Sequence, residues 1–324
     1  MIISRTPLRV SFCGGGSDLP AFYRRHGGGV LSMGLARYVY LSMHEYFGGS
    51  GYILKYSQLE TPRDVSEIRH RIIKEVFRSY AIDGVDFNSS ADVPAGTGLG
   101  SSSAFTVGLL NLCNAFLGRY VGREALAAEA CDIEINRLGE QIGKQDQYCC
   151  AIGGLNFIEF HPDDSVTCEP VPMGREARRR IEQNLVMCYL GGTRSASQVL
   201  KEQSANMAQD QGVNEDLRAM VDLARALRLE IAGDPDVLGP YLHEGWSRKK
   251  RLAASISSPA IDTAYDRALA AGATGGKLLG AGGSGFLLLY APGEARQAVV
   301  EALSSYRAYD VVMDTTGSTI IYSN

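Results

Sequence analysis

Leu8, Val10 and Phe12 are separated by Arg9 and Ser11, the two-residue period of a half-buried strand, and the stretch 2–12 is read as one. Residues 30–45 and 51–56, rich in β-branched and aromatic side chains, predict two further strands, so the chain opens as sheet. The period then lengthens. Ile68, Ile72, Val76 and Phe77 share one helical face, and Asp64 followed by Glu67 makes a capping box, so a helix is predicted over 65–80. After a short strand at 87–93, Phe105, Leu109, Leu112 and Phe116 set a helix over 101–117 that Gly118 stops, and another follows over 123–138.

Strands are expected at 153–160, 165–171 and 185–190. Helical spacing governs 194–272, with Leu217, Met220, Leu223, Leu227 and Ile231 on one stripe and Pro235, Pro240 and Pro259 as punctuation. A strand at 286–290, a helix at 294–306 and strands at 311–313 and 319–322 close the chain. The Pro-rich, charged run 169–183 reads as inter-domain, which gives two domains, 1–180 and 181–324.

Composition narrows the function. A chain of 324 residues, 45% hydrophobic and 21% charged, is globular and long enough for two cores. The net charge of −4 offers no basic field for nucleic-acid phosphates, so no nucleic-acid partner is expected. No apolar run reaches the ~18 residues of a membrane span and the start has no apolar leader core, so a cytoplasmic protein without a membrane partner is expected. Seven cysteines without a CxxC pair and five histidines without HExxH argue against a disulfide framework or a transition-metal site. The 37 glycines matter more for their clustering, because such clusters let backbone approach a ligand closely.

Four segments carry candidate chemistry. A strand leads into Pro94, Ala95, Gly96, Thr97, Gly98, Leu99, Gly100, Ser101, Ser102 and Ser103 and then a helix; a glycine-rich turn feeding a helix N-terminus presents free N–H groups to phosphate. It lacks the lysine of a Walker A loop and the third glycine of a dinucleotide fingerprint. Residues 280–285 (GAGGSG) match GxGxxG as letters, but helix precedes and strand follows, the reverse of a dinucleotide site. Residues 5–18 run from a strand into Gly14, Gly15, Gly16, Ser17 and Asp18. Residues 143–148 (GKQDQY) set Asp146 near Lys144 in a loop, a candidate base.

In this order, residues 5–18, 94–104, 143–148 and 277–286 resemble the motifs of the GHMP kinase superfamily, over nearly the whole chain. The resemblance implies an α+β fold of two domains: an N-terminal mixed-sheet domain with a left-handed βαβ element and a ferredoxin-like C-terminal domain, with the active site between them. It implies ATP and Mg²⁺. The wording is most similar to the sugar 1-kinase branch and its heptose-phosphate kinases, which implies a phosphosugar acceptor and a product for surface-polysaccharide synthesis. Carried over by position, Asp146 is the catalytic carboxylate and Arg9 its cationic neighbour. Asp18 with Gly15, Gly16 and Ser17 holds the sugar, 94–103 wraps the triphosphate, and Glu134 with Ser102 binds the metal. Such a transfer asks mainly for positioning and charge neutralisation. Gly282 and Gly283 join the substrate set, and the acceptor's own phosphate requires a basic group, for which Arg194 comes first and Lys249 or Lys250 second. Ser284 stands where relatives more often carry glycine, and the three glycines at 14–16 replace the acid–histidine pair of galactokinases. A kinase for another sugar such as L-fucose, a silent sugar and ATP sensor, and a nicotinamide oxidoreductase are the alternatives. A homodimer is compatible with all of them.

Overall fold

A computed structural model describes residues 1–192 and 196–324. The first part of the chain runs β1 (Ile2–Cys13), α1 (Pro20–His26), β2 (Gly28–Glu45), β3 (Tyr52–Lys55), β4 (Leu59–Glu60), α2 (Arg71–Tyr80), β5 (Val85–Ala91), α3 (Ser101–Phe116), α4 (Arg123–Cys131), α5 (Gln145–Ile152), β6 (Leu155–Phe160) and β7 (Val166–Pro170). The second runs α6 (Arg175–Asn184), β8 (Leu185–Tyr189), α7 (Ala196–Gln209), α8 (Gln211–Glu230), α9 (Leu238–Lys249), α10 (Pro259–Ala270), β9 (Gly275–Leu278), β10 (Phe286–Tyr290), α11 (Ala295–Ala302), β11 (Arg307–Asp310) and β12 (Thr319–Ser323).

Two sheets organise these elements. The larger has the order β12-β1-β2-β5-β3-β4, with β6 and β7 attached at the other end of β2. Long β2 serves two partners: Gly28 to Met33 pair with β6, and Val39 to Glu45 pair with β5. β3 and β5 pair in parallel across the connection through α2, and the other pairings are antiparallel. The smaller sheet is antiparallel with the order β11-β8-β10-β9. Numbered within that sheet the order is 4-1-3-2 with helices between its first and second and its third and fourth strands, the ferredoxin-like arrangement. The chain then crosses back, and β12 pairs with β1. The α+β, two-domain architecture is the expected one.

Helix α3 packs on β1 and β2 and on its neighbouring helices, burying Val107, Leu109, Leu110 and Leu112 completely. Each contributes about 1.5–3 kcal/mol of transfer free energy. Helix α8 also packs on β2, so the second part of the chain covers one face of the larger sheet. No helix of the described residues is long and apolar enough to cross a membrane.

Several expected elements are corrected. Over 65–80 the capping box gives only a 3-10 turn, in which Asp64 accepts from the Ser66 N–H at 2.8 Å. Buried Glu60 then takes the Arg69 N–H at 2.8 Å, the chain extends at Ile68, and the helix restarts at Arg71. The helix over 123–138 ends at Cys131 and widens into a π turn, Asp132–Arg137. Residues 311–313 hold one isolated bridge, Leu35 with Met313, and the strand lies earlier, in β11. The run 169–183, expected between the domains, spans the end of β7 and most of α6. Asp146 stands in the first turn of α5 rather than in a loop.

Candidate active site

Strand β1 sets Arg9 in the floor of a cleft of about 480 Å³ between the two sheets. Its backbone N–H donates to Leu99 O at 3.0 Å, which joins the strand to the glycine-rich loop before α3. Its guanidinium is 4% exposed and forks onto Asp146, with Nε to Oδ1 and Nη2 to Oδ2 both at 2.7 Å. The Nη1 donates to Gly98 O. Asp146 follows Lys144 by two residues at the start of α5, where the N-terminal dipole favours a carboxylate. Two parallel bonds fix its plane as well as its charge.

Asp18 lies at the end of the loop after β1, 2% exposed. Its Oδ1 accepts from the Gly16 N–H at 2.9 Å and from Gln145 Nε2 at 3.2 Å, and its Oδ2 from the Gln145 N–H at 3.2 Å. Burial, with the nearby Asp146 charge, raises its carboxyl above the usual range. A Cβ on Gly143 would lie 1.8 Å from that carboxylate, so only glycine lets the two loops meet there.

Glu134, 1% exposed, projects from the π turn, a distortion that often marks a functional position. Ser102 Oγ donates to its Oε1 and Ser103 Oγ to its Oε2, each at 2.9 Å, and Gln147 Nε2 donates to Oε2 at 2.6 Å. Burial raises this carboxyl too, and the three donors pull against that. The glycine loops of the two domains touch backbone to backbone. At Gly98, with φ +86°, a Cβ would lie 2.6 Å from Leu279 O, and at Gly280 one would lie 2.5 Å from the Gly98 Cα.

The expected residues divide into those facing the cleft and those behind it. Arg9, Asp18, Gly15, Gly16, Glu134, Asp146 and Gly282 line it, as do Gly96, Gly98, Gly100 and Ser101 to Ser103. Behind it, Thr97 Oγ1 donates to Pro94 O at 3.0 Å, Leu99 is fully buried, Ser17 pairs with Gly29, and the Gly283 N–H donates to Ile256 O. These hold the loops in shape. Lys250 turns away, bound to Asp262 at 3.1 Å and set over the Trp246 ring. Arg194 lies outside the described residues.

Lys249 does face the cleft, and so does Lys277, which sequence reasoning passed over. Lys249 is 5% and Lys277 3% exposed. Lys277 Nζ donates to Phe12 O at 3.0 Å and Lys249 Nζ to Gly280 O. Burial, reinforced by the Arg9 charge, lowers Lys277 to about 8; burial, then Lys277 and Arg9, push Lys249 well below the ordinary lysine range. Leu242, Trp246 and Lys249 follow a helical stripe, the signal that separates Lys249 from its neighbour. Ser11 and Gln203 also line the cleft, with Ser11 Oγ and Gln203 Nε2 buried and without a hydrogen-bond partner. At the far end stand Ile72 and Leu138 beside the Arg71–Glu140 ion pair.

Known proteins give the arrangement a family. Residues 67–154 match the profile described as GHMP kinases N terminal domain and residues 219–308 that described as GHMP kinases C terminal. The chain is 25% identical over 320 residues to D-glycero-alpha-D-manno-heptose 7-phosphate kinase of Campylobacter jejuni, covering 95% of this chain and 94% of that one. It is 26% identical to the bifunctional fucokinase/GDP-fucose pyrophosphorylase of Arabidopsis thaliana, covering 94% of this chain but 31% of that enzyme. A crystal structure of a D-glycero-D-manno-heptose 1-phosphate kinase from Bacteriodes thetaiotaomicron superposes with a TM-score of 0.82 at 26% identity, covering all of both chains.

Proposed function

We propose, from the premise that this chain belongs to the GHMP kinase superfamily and is therefore an ATP-dependent phosphotransferase, that its acceptor is the anomeric hydroxyl of D-glycero-D-manno-heptose 7-phosphate and its product the 1,7-bisphosphate. The single observation that carries the site assignment is the half-buried two-bond pair of Arg9 with Asp146, set between the glycine-rich loop and the Asp18 loop. The heptose comes from the full-length similarity to the Campylobacter jejuni enzyme.

In this reading Asp18 and the Gly15–Gly16 turn hold sugar hydroxyls, and Asp146 accepts the hydrogen bond of the anomeric hydroxyl. The loop 94–103 lays its N–H groups and the N-terminus of α3 along the triphosphate. The anomeric hydroxyl gives its proton to the Asp146 carboxylate as the new bond forms between its oxygen and the γ-phosphorus, the bond from that phosphorus to the bridging oxygen breaks, and ADP leaves. Arg9, next to Asp146, offsets charge on the transferring group. The glycine loops of both domains meet beside these atoms at the Gly98–Gly280 contact.

The donor set around Glu134 suits Mg²⁺. One carboxylate with the Ser102 hydroxyl 2.9 Å away offers hard oxygen ligands, and phosphate oxygens complete such a site. No group of three or more His, Cys, Asp or Glu side chains stands ready for a metal among the described residues. Bound there, the ion would neutralise phosphate charge. Glu134 and Ser102 would hold it, with Ser103 and Gln147 orienting the carboxylate.

The test is ADP release with ATP and Mg²⁺ against heptose 7-phosphate, mannose 6-phosphate, L-fucose, galactose and mevalonate. Turnover on the heptose phosphate is expected, with kcat for Asp146→Asn lower by roughly a thousandfold at similar KM. Preference for an unphosphorylated sugar would overturn the acceptor, and full activity of Asp146→Asn would overturn the site.

A further inference from the structure

Two of the buried cations that line the cleft are paired with no carboxylate of the described residues. Arg9 is spoken for by Asp146, and Asp18 by the Gly16 and Gln145 donors. Lys249 and Lys277 are as deeply buried as Arg9, yet no carboxylate of the described residues lies within 4.0 Å of either ammonium. Each donates instead to one backbone carbonyl. An ammonium has three donors, so two on each lysine remain unused by these bonds. Removing such a charge from water without a counter-charge costs free energy, and folds retain that cost where a ligand needs it.

Two further buried donors stand beside them. Ser11 precedes Phe12, whose carbonyl holds Lys277, and Ser11 Oγ would lie 3.4 Å from a Cβ on Gly15. Gln203 Nε2 would lie 2.2 Å from a Cβ on Gly16. Both are unpartnered in residues no more than 5% exposed. They flank the turn that leads to Asp18. A pocket of donors calls for a ligand rich in anionic oxygens, and two ammonium groups call for a dianion.

We infer that Lys249 and Lys277, with Ser11 and Gln203, form a buried subsite for the phosphate monoester that the acceptor brings with it. The inference rests on the phosphosugar reading above. It replaces Lys250 with Lys249 as the basic group of α9 and adds a lysine from β9. The other source of the same chemistry is the phosphoryl group in transfer, and kinetics distinguish the two.

The experiment uses Lys249→Met, Lys277→Met and Lys277→Arg in the full chain. Without ligand, the methionine variants are expected to melt at or above the wild-type temperature, because an unmatched buried charge is gone. Inorganic phosphate without nucleotide should raise the wild-type melting temperature and not theirs. KM for the heptose phosphate should rise by roughly ten- to a hundredfold, the effect of one lost charge-assisted hydrogen bond, with KM for ATP within about twofold. Lys277→Arg should restore part of it. A lower melting temperature with the phosphate response intact would overturn the subsite in favour of a structural role. A loss of kcat equal for phosphorylated and unphosphorylated sugars would assign the lysines to the transferring group instead. If wild type ignores phosphosugars while inorganic phosphate still discriminates the variants, the acceptor reading fails and the anion subsite stands; if wild type uses the phosphosugar and the variants keep its KM, the reverse holds.

Discussion

The two walls of the cleft bury charge to the same depth and finish it differently. On the wall built by β1, α3 and α5, Arg9 and Glu134 each have three hydrogen bonds within the protein. Arg9 has Asp146 and a carbonyl, and Glu134 has three donors. On the wall built by α9 and β9, two lysines have only carbonyls. Charges matched by the chain belong to the folded state and persist without ligand. Charges met only by a carbonyl are completed from outside, so the second wall is where stability has been given up for recognition.

Breaking the matched wall should cost most. Arg9→Met leaves Asp146, itself 23% exposed, without its partner and Gly98 O without a donor. Urea unfolding should show about 2–3 kcal/mol lost, below the usual range for a fully buried pair because water reaches Asp146. A loss no larger than that of Lys277→Met would erase the distinction between the walls. Gly98→Ala strains the joint between them through its positive φ and the 2.6 Å approach to Leu279 O, and should cost about 1–3 kcal/mol while raising KM for ATP. An unaffected KM would show that the joint is structural alone.

The smallest effect concerns pH. Lys277 keeps its proton up to about 10.5 when unfolded but releases it at about 8 when folded. Between those values the unfolded state binds more protons, so this group makes stability rise with pH; below about 8 its penalty is fully present. Binding of an anion runs the opposite way. KM for the phosphosugar is expected to climb as pH passes 8, and Lys277→Arg, which stays charged, should flatten that climb. Identical pH profiles for wild type and Lys277→Arg would remove Lys277 from the binding step.

Sequence periodicity found elements whose face pattern is clean. The strand at 286–290 and the helix from Ser101 have their expected limits to within a residue. It failed where the pattern is short or glycine-rich. Helix α5 has eight residues between Gly143 and Gly153, and its buried Cys149, Cys150 and Ala151 give too little contrast to read as a face. Strand β9 opens with two glycines, which carry no strand preference, so Lys277 had no element to sit on. Glu60 breaking the helix at 65–80 is a tertiary contact that no local pattern contains. The cleft residues reached through motif resemblance, Arg9, Asp18, Glu134 and Asp146, face one space. Lys249 against Lys250 was decidable from the phase of Leu242 and Trp246, one residue being a rotation of about 100°.

The return of the chain to β1 has a mechanical consequence. Polypeptide leaves the larger sheet once, between β7 and α6, and re-enters it once, between β11 and β12. The smaller sheet is therefore joined to the larger by two covalent crossings as well as by a shared hydrophobic core. A pull on that sheet is divided between two covalent tethers, with the packing of α8 on β2 beside them.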